Sequence, residues 1–399
     1  MSLLAKLQKN SKIKDSSTLT DSIFFKEKDM ISTAIPVINI ALGGSLDAGL
    51  TPGLTMWAGP SKHFKTAFSL LMAKAYLDKY EDGVVLFYDS EFGTPQSYFD
   101  SFGIDTKRVI HTPITDVEQL KFDIVGRLDE VAKGDNVMVM IDSIGNLASK
   151  KEVEDALNEK SVADMSRAKA LKSLFRIITP RLTTKDIPCI AVNHTYKEIG
   201  LFPKNIISGG TGIYYSANQI FIISKAQEKD GTDLAGWKFT INIEKSRYVK
   251  EKAKLPFKVL YDSGIQKWSS LMDLAIESGH IQKATQGWYN LTDLSTGEII
   301  EPKRRGKDIE DDDDFFKIFT KTCEKFNLVG SEAQQKFGEY SYPTLKSKVS
   351  KLFEEFNSFT EMIISIDSII HVEVSKLLPG AQTPKINLLS KEKGLLILE

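Results

Sequence analysis

Short apolar runs alternate with longer, helix-length segments between residues 31 and 270. Runs of this kind, bounded by turn residues, predict buried parallel strands in a sheet that helices cover on both faces. Ligands of such sheets bind at the carboxyl ends of the strands, so the residues that follow each run are the first candidates for chemistry. The runs are LTMWA (54–58), VVLFY (84–88), VMVMI (137–141), CIAV (189–192) and IFII (220–223).

The pattern changes near both ends of the chain. The first ten residues, MSLLAKLQKN, predict a short lysine-bearing helix, which a polar linker follows. Beyond residue 270 a helical segment leads into GWYNLTDLSTGEI, which predicts a small strand-and-turn element. The acidic run 308–314 is most simply a solvated linker, and 315–370 has helical spacing. We therefore predict three parts: an N-terminal helix and linker (1–30), an α/β core (31–270) and a C-terminal domain (271–399).

Composition excludes several classes of protein. The chain of 399 residues has 52 Lys and Arg against 53 Asp and Glu, a net charge of −1. No stretch reaches the roughly 18 apolar residues of a membrane helix, so no membrane partner is expected. Two cysteines, Cys189 and Cys323, make no disulfide framework, which favours a reducing cytoplasm. Near-neutrality argues against a uniformly basic nucleic-acid binder, although net charge is only an average.

A candidate phosphate-binding loop follows the first strand. A strand, a tight loop and a Lys-Thr pair that opens an apolar helix would place backbone N–H groups around phosphates. Lys65 would reach the β and γ oxygens, and Thr66 would hold Mg²⁺. An ordinary strand-to-helix turn is the alternative, because Phe64 stands where the pattern expects glycine. The loop comprises Gly59, Pro60, Ser61, Lys62, His63, Phe64, Lys65 and Thr66.

Two further strand ends favour the phosphate-loop interpretation. The run VMVMI is followed by Asp142, which is the usual place for the carboxylate that supports the metal in phosphate-loop ATPases. The run VVLFY leads to Glu91, a carboxylate that can orient and polarise an attacking water. A single acidic residue after a strand is usually an exposed turn or a helix cap. Three strand ends that supply Lys and Thr, Glu and Asp together predict an ATP site.

The segment 160–185 is locally basic, with seven basic residues and one acidic residue. On a helix, Lys169, Lys172 and Arg176 fall along one face, and an apolar stripe falls on the other. A solvated surface is the usual explanation for an isolated basic stripe, and contact with nucleic-acid phosphates is the alternative.

These segments together resemble the RecA-like recombinases, and most closely those of the phage UvsX type. The resemblance covers about residues 25–290 and implies a RecA-like phosphate-loop ATPase core. It also implies that the N-terminal segment (1–30) docks on the next protomer and so assembles the filament. Phe64 is similar to what UvsX-type proteins carry in the loop. The matching segments are AGPSKHFKT, LFYDSEFG, RVIHTP, MIDSIGNLASKKE, IPCIAVNHTY and EKSRYVKEK.

The resemblance also implies roles at the nucleotide site. Glu91 would be the general base, and Tyr98 would stack on adenine, although a tyrosine on a helix surface is the alternative. His194, after the CIAV strand, would sense the γ-phosphate, although a lone histidine is more often structural. Lys245 and Arg247 would reach a neighbouring subunit's ATP as arginine-finger-like groups, and the alternative is a charged strand end.

The DNA-binding assignment rests on two segments. LASKKEVEDALNEK looks like the first DNA-binding loop of the family, and the basic helix follows it. Residues 195–213 would be the second loop, expected to be long and without regular structure. Phe202 would be a wedge between bases, since aromatic stacking tolerates any sequence. The predicted DNA-binding residues are Arg167, Lys169, Lys172, Arg176, Tyr196, Lys197, Phe202, Lys204, Gly209 and Gly210.

The resemblance implies an ATP-dependent recombinase that forms helical filaments on single-stranded DNA and pairs it with homologous duplex, in recombination, repair and recombination-dependent replication. A single-stranded-DNA-binding protein and a loading mediator would be partners, in the cytoplasm of an infected bacterial cell. The alternatives are a ring helicase or translocase with a RecA core, and a mediator without catalytic turnover.

Overall fold

The structure is a computed structural model. It describes residues 3–13, 16–22, 29–158, 166–198, 205–277, 281–292, 299–310, 312, 314–317, 386–388 and 396–398.

The described residues contain helices, strands and one 3-10 turn at Thr106–Arg108. The helices are α1 (Leu3–Lys9), α2 (Pro36–Gly43), α3 (Lys65–Lys79), α4 (Gln96–Ser101), α5 (Val117–Glu130), α6 (Lys150–Leu157), α7 (Ser166–Thr184), α8 (Thr211–Ser216), α9 (Leu271–Glu277) and α10 (Gly306–Glu310). The strands are β1 (Gly53–Ala58), β2 (Val84–Asp89), β3 (Val109–Pro113), β4 (Val137–Asp142), β5 (Pro188–Asn193), β6 (Thr195–Lys197), β7 (Asn205–Ile207), β8 (Gln219–Asp230), β9 (Asp233–Lys245), β10 (Lys254–Leu260), β11 (Gly264–Ile265), β12 (Ile281–Thr285), β13 (Trp288–Thr292), β14 (Ile299–Arg305), β15 (Ile386–Leu388) and β16 (Leu396–Leu398).

A nine-stranded sheet forms the core of the region 53–265, with strand order β11-β10-β9-β8-β1-β5-β4-β2-β3. The six strands β8, β1, β5, β4, β2 and β3 run parallel to one another. On the other side of β8, the strands β9, β10 and β11 are added by antiparallel pairing. The five apolar runs of the sequence all lie in these strands, which confirms the predicted α/β core. The antiparallel extension on the β8 side was not predicted. Strand β1 ends at Ala58, which pairs with Ile222 of β8. Strand β8 continues for eight more residues, to Asp230, and so extends beyond the end of β1.

Each face of the sheet buries its own apolar cluster. Side chains alternate across a strand, so Trp57 of β1 packs with α2 and α3, whereas Leu54 and Met56 pack with α5 and α7 on the other face. Burial on both faces explains why the central strands are unbroken apolar runs. The carboxyl ends of β1, β2, β4 and β5 consequently share one edge of the sheet.

Local capping defines where the helices over the second face begin. Asp116 accepts a hydrogen bond from the backbone N–H of Gln119 at the start of α5. Ser149 and Glu152 form a capping box at the start of α6. Helix α7 buries the predicted apolar stripe against the sheet, including Leu171, Leu174 and Phe175, which confirms the division of this helix into two faces.

The strand-and-turn element predicted beyond residue 270 is a three-stranded sheet of β12, β13 and β14. The acidic run differs from a solvated linker. Its first residues lie in α10, where Ile309 is fully buried, and Arg304 donates hydrogen bonds to Asp312 and to the carbonyl oxygen of Asp308.

Contacts divide the chain into two units, 1–331 and 332–399. In the second unit the described residues form the antiparallel pair of β15 and β16. The predicted helical domain at 315–370 lies almost wholly outside the described residues, and the three-part division stays a prediction. Within the described ranges, no helix is long and apolar enough to cross a membrane.

Candidate nucleotide-binding and DNA-binding site

The predicted phosphate loop connects β1 to α3 at the carboxyl edge of the sheet. Lys65 begins α3, is 6% exposed, and its Nζ donates to the carbonyl oxygen of Pro60 at 2.7 Å. Burial lowers the pKa of the Lys65 ammonium, and the carboxylates of Asp142 and Glu91 oppose that shift. The loop therefore holds a cation within electrostatic reach of both predicted carboxylates.

Phe64 occupies the glycine position without breaking the loop. Its φ of 64° lies in the left-handed region, which costs a non-glycine residue about 1–2 kcal/mol. Its ring packs against three others: Phe68 at 5.8 Å, Phe239 at 5.2 Å and Phe257 at 6.1 Å between centroids. Aromatic pairs contribute about 0.5–1.5 kcal/mol each beyond their burial, so this packing can offset the strain. The side chain anchors the loop to β9 and β10.

Lys225 on β8 also holds the phosphate loop in place, in addition to Phe64. The sequence did not indicate this lysine as a site residue. Its Nζ donates to the carbonyl oxygen of Lys62 at 3.1 Å and lies 4.3 Å from the ring centroid of Trp237. Only the antiparallel extension brings β8 past the loop, so no local signal could have revealed this contact.

Phe64→Gly tests the anchoring role of the ring. The substitution removes the left-handed strain but frees the loop from the aromatic cluster. We expect the KM for ATP to rise about tenfold with little change in kcat, because ordering one backbone residue costs about 1–2 kcal/mol. Steady-state phosphate release measures both constants. Phe64→Leu keeps the strain and part of the packing and should give an intermediate KM; an unchanged KM for Phe64→Gly would contradict the anchoring.

Asp142 lies at the end of β4 beside the phosphate loop. Thr66 Oγ1 donates to Asp142 Oδ2 at 2.5 Å, whereas Asp142 Oδ1 is buried without a hydrogen-bond partner. Burial raises the pKa of Asp142 to about 6. A buried carboxylate oxygen without a partner, next to a hydroxyl, fits a hard cation such as Mg²⁺, which takes few protein oxygens and completes its shell from phosphate and water. Within the described ranges, no group of three or more His, Cys, Asp and Glu side chains is arranged to hold a metal ion by itself.

Glu91, Ser143 and His194 meet at the ends of three strands. His194 Nε2 lies 2.8 Å from Glu91 Oε1, and Ser143 Oγ donates to the same oxygen at 2.7 Å. The hydrogen bond with His194 is the largest cause that lowers the pKa of Glu91, and Ser143 adds to it. The carboxylate is therefore kept ionised, as a general base requires. Ser143 was not predicted as a site residue, although its position directly after Asp142 was a signal for it.

The turn that carries Glu91 is held by two neighbouring residues. Asp89 accepts hydrogen bonds from the backbone N–H groups of Glu91 and Phe92, at 2.9 and 2.8 Å. Ser90 Oγ donates to the carbonyl oxygen of Ser143 and accepts from its N–H. These bonds tie the end of β2 to the end of β4 and set the position of the Glu91 carboxylate.

Tyr98 lies on α4 and is half-buried against the core, with its ring 5.4 Å from that of Phe102. Burial raises the pKa of the Tyr98 hydroxyl, and the charge of Asp142 adds to the shift. Tyr98 is therefore close enough to Asp142 for the charge of that carboxylate to act on the hydroxyl. Its part as an adenine stacker stays a prediction.

His194 also joins the nucleotide edge to the second predicted DNA loop. The carbonyl oxygen of His194 accepts from the N–H of Ser208 at 3.0 Å, and Asn193 Nδ2 donates to the carbonyl oxygen of Ser208 at 2.8 Å. A Cβ atom at Gly145 would lie 2.3 Å from His194 Cδ2, so only glycine permits the ring to pack there. The second predicted DNA loop therefore begins next to His194, and the first follows Gly145, which packs against the His194 ring.

The second loop is less irregular than expected. Strands β6 and β7 form a two-stranded ribbon, with Tyr196 opposite Ile206, and Tyr196 is 56% exposed. Lys197 is also exposed. Gly209 and Gly210 have φ of 93° and 79°, and a Cβ at Gly209 would lie 2.7–2.9 Å from Ile213 and Leu171. The predicted wedge Phe202 and Lys204 lie outside the described residues.

Four basic residues predicted on α7 divide into two groups. Lys169, Lys172 and Arg176 are exposed, as a surface for phosphates requires. Arg167 instead turns inward and donates to carbonyl oxygens of the loop after β4. A count of the basic residues on α7 therefore overestimates the number of cations that the helix exposes to solvent.

Lys245 and Arg247 lie at the end of β9. Lys245 Nζ donates to the carbonyl oxygen of Tyr214 at 2.7 Å and lies over the ring of that tyrosine, and Arg247 is exposed. Lys245 pairs with Ile220 of β8, which in turn pairs with Met56 of β1. The chain then continues toward the amino edge of the parallel sheet, opposite to the phosphate loop.

The mostly parallel sheet, with a phosphate-loop turn after its first strand and carboxylates at the same edge, defines a RecA-like ATPase core. Comparison with known proteins agrees with that class. The family model described as the RecA N-terminal domain matches residues 8–266, and the model of the bacteriophage T4 recombination and repair protein C-terminal domain matches residues 268–327. The chain therefore belongs to the RecA family of recombinases, which are DNA-dependent ATPases. This confirms the resemblance to RecA-like proteins of the phage UvsX type.

Individual relatives agree with the family models. The recombination and repair protein of Enterobacteria phage T4 is 52% identical over 310 residues, 77% of this chain and 79% of the relative. Protein RecA of Streptomyces venezuelae is 28% identical over 69% of this chain and 71% of its own length, and Protein RecA of Chlorobium chlorochromatii is 28% identical over 69% and 76%. A third family model, described as haem-NO-binding, matches residues 304–399, most of which lie outside the described residues.

Proposed function

We propose that this RecA-family recombinase binds ATP and Mg²⁺ at the carboxyl edge of its sheet, assembles on single-stranded DNA as a helical filament and pairs that strand with homologous duplex. The observation that carries the proposal is the convergence on one edge of Lys65, Thr66 and Asp142 with the Glu91–His194 pair. Because His194 is also hydrogen-bonded to the base of the second loop, nucleotide and DNA would act on one network.

Lys65 and the loop N–H groups would bind the phosphates, and Thr66 and Asp142 would hold Mg²⁺, which neutralises charge that develops on the phosphates. Tyr98 would stack on adenine. Glu91 would orient and polarise the attacking water, since Ser143 and His194 keep its carboxylate ionised and in place. His194 would sense the γ-phosphate, because it lies next to Glu91 and is also hydrogen-bonded to Ser208 in the second predicted DNA loop.

Lys245 and Arg247 would complete the site of a neighbouring protomer. The strand register sets Lys245 level with Met56 of β1, and β9 runs antiparallel to β8, so the chain that leads on to Arg247 heads toward the amino edge of the sheet. The phosphate loop of the same chain lies at the carboxyl edge. A protomer stacked head to tail presents its amino edge to the carboxyl edge of the next, and such an interface repeats into a helical filament when it does not close. Hydrolysis would then depend on assembly.

Mixing two inactive variants tests the shared site. Glu91→Gln removes the base, and Arg247→Ala removes the neighbour's cation. In randomly mixed filaments, about a quarter of the interfaces would combine an intact Glu91 with an intact Arg247, the product of two probabilities of one half. We expect an equimolar mixture to recover about a quarter of wild-type phosphate release, although each variant alone is nearly inactive. A mixture no more active than its components would place both residues in one chain's site.

The DNA surface would comprise the exposed α7 cations Lys169, Lys172 and Arg176 together with the ribbon that bears Tyr196 and Lys197. Phosphate contacts by lysine and arginine supply sequence-independent affinity, and stacking tolerates every base. Phe202 and Lys204 would extend this surface, and the Gly209–Gly210 pair would let the loop approach the strand closely. The same chemistry suits an activity that must accept any sequence.

Partners and place follow from the same proposal. A recombinase that competes for single-stranded DNA would work with a single-stranded-DNA-binding protein and a loading mediator. The cytoplasm of an infected bacterial cell would be the setting.

Electron microscopy with single-stranded DNA and a non-hydrolysable ATP analogue, combined with phosphate release from ATP, tests the proposed function. Open helical filaments and DNA-stimulated hydrolysis are expected. Closed rings that translocate on duplex would support a helicase instead, and filaments without any phosphate release would support a mediator.

A further inference from the structure

Arg167 lies in the first turn of α7. It contacts Leu147, where the first segment assigned to DNA begins, and Ser208, near the end of the second loop. Its guanidinium makes four hydrogen bonds. Nε donates to the carbonyl oxygen of Leu147 at 2.6 Å, and Nη2 donates to those of Ile144 at 3.0 Å and Gly145 at 2.7 Å. Nη1 donates to Ser208 Oγ at 3.2 Å. Four of the five N–H donors of the side chain are therefore used within the protein.

The acceptors belong to two separate parts of the chain. Three are carbonyl oxygens in the loop that follows β4, and this loop leads into α6. The fourth is the hydroxyl of Ser208, which follows β7 and ends the ribbon of the second loop. The planar guanidinium can hold both parts at once, whereas an ammonium group cannot reproduce this fixed fork of donors.

Both parts also touch His194. The backbone of Ser208 bonds to His194 and to Asn193, and Gly145 packs against the His194 ring. His194 in turn lies 2.8 Å from Glu91. An unbroken series of contacts thus runs from the nucleotide edge through His194 to Arg167 and to both DNA segments.

We propose that Arg167 is a positioning residue that couples nucleotide to DNA affinity, and not a ligand of DNA phosphate. It clamps the loop after β4 to the end of the second loop, so that a movement of His194 reaches both DNA segments together. The proposal rests on the proposed function, in which His194 responds to the nucleotide and the two segments bind DNA. The exposed cations of α7 remain the phosphate contacts.

Arg167→Lys distinguishes the two roles because it keeps the charge and removes the fork. The measurement is the affinity for a fluorescent single-stranded oligonucleotide, with a non-hydrolysable ATP analogue and with ADP, across a series of salt concentrations. We expect the ratio of the two affinities to fall about fivefold or more, which is the lower end of ordinary coupling factors. The slope of log affinity against log salt should stay that of the wild type, since no phosphate contact is lost.

Two control variants lie on the same helix. Lys172→Ala should make the slope of log affinity against log salt less steep by about one, as expected for the loss of one phosphate contact. It should leave the ratio of the affinities with the ATP analogue and with ADP unchanged. Arg181→Ala removes a charge that is paired with Asp129 and should change neither quantity. Thermal unfolding checks that every variant is folded.

A wild-type ratio in Arg167→Lys, or a slope lowered by about one with an unchanged ratio in Arg167→Ala, would overturn the proposal. Ser208→Ala removes only the acceptor in the second loop, and it decides the question if the Arg167 variants do not fold. It should lower the ratio of affinities, and an unchanged ratio there would equally overturn the clamp. If the wild-type protein itself shows no nucleotide-dependent DNA binding, the proposed function fails rather than this inference alone.

Discussion

Lys65→Ala is expected to abolish ATP-dependent DNA binding and to lower DNA-stimulated kcat/KM for ATP by at least about 10²–10³-fold, the usual effect of losing one preorganised electrostatic contact. The ammonium is buried beside the loop and lies within electrostatic reach of Asp142 and Glu91. Without it, the carboxylates of Asp142 and Glu91 would face the triphosphate without the cation that this loop holds beside them. Phosphate release and filter binding of single-stranded DNA measure the two losses.

Lys74→Ala is the matched control for Lys65→Ala. It removes a lysine of the same helix, α3, that pairs with Asp78 on the surface, and surface pairs contribute little to stability. Near-normal hydrolysis and DNA binding are expected. Wild-type filaments with ATP in Lys65→Ala would show that the turn after β1 is only a connection between a strand and a helix.

Glu91→Gln should leave filaments intact and slow hydrolysis by about 10²–10⁴-fold, the range of a general base. Glutamine keeps the shape of the side chain and an oxygen that can accept from Ser143 Oγ, so the ends of β2 and β4 stay joined. Only the negative charge that polarises the water is lost. Phosphate release measures turnover, and electron microscopy measures assembly on the same samples.

Glu130→Gln, an exposed residue at the end of α5, controls for the loss of a carboxylate elsewhere. Its turnover should match that of the wild type. Normal turnover in Glu91→Gln would remove Glu91 from the role of base, and failure of that variant to form filaments would point to a structural role instead.

The five central strands of the sheet, β1, β2, β4, β5 and the start of β8, were predictable because they are buried on both faces. Such strands must be apolar at every position, so each appears in the sequence as an unbroken run. The antiparallel strands β9 and β10 alternate buried and exposed positions and carry lysines, which hid their length. The antiparallel part of the sheet holds the phosphate loop at two points. Phe64 packs against Phe239 of β9, and Lys225 of β8 donates a hydrogen bond to the loop.

The arrangement of the basic residues on α7 was only partly predictable. Helical spacing correctly separated Lys169, Lys172 and Arg176 from the apolar stripe. Arg167 has the same charge and lies in the same helix, but the loops before and after it fold back and supply acceptors. Whether an arginine meets solvent or carbonyl oxygens depends on the path of distant segments, which charge patterning does not report.

Sequence alone established the buried central strands, the loop after β1 and the chemical groups at the strand ends, because each depends on residues that are close along the chain. It could not establish which of those groups touch. Glu91 meets Ser143 and His194 across separations of 52 and 103 residues, and Arg167 reaches Ser208 across 41. Such contacts are set by strand order and by loops that return to the sheet. A parallel sheet assembles one edge from distant segments, and there a near-neutral chain concentrates its chemistry.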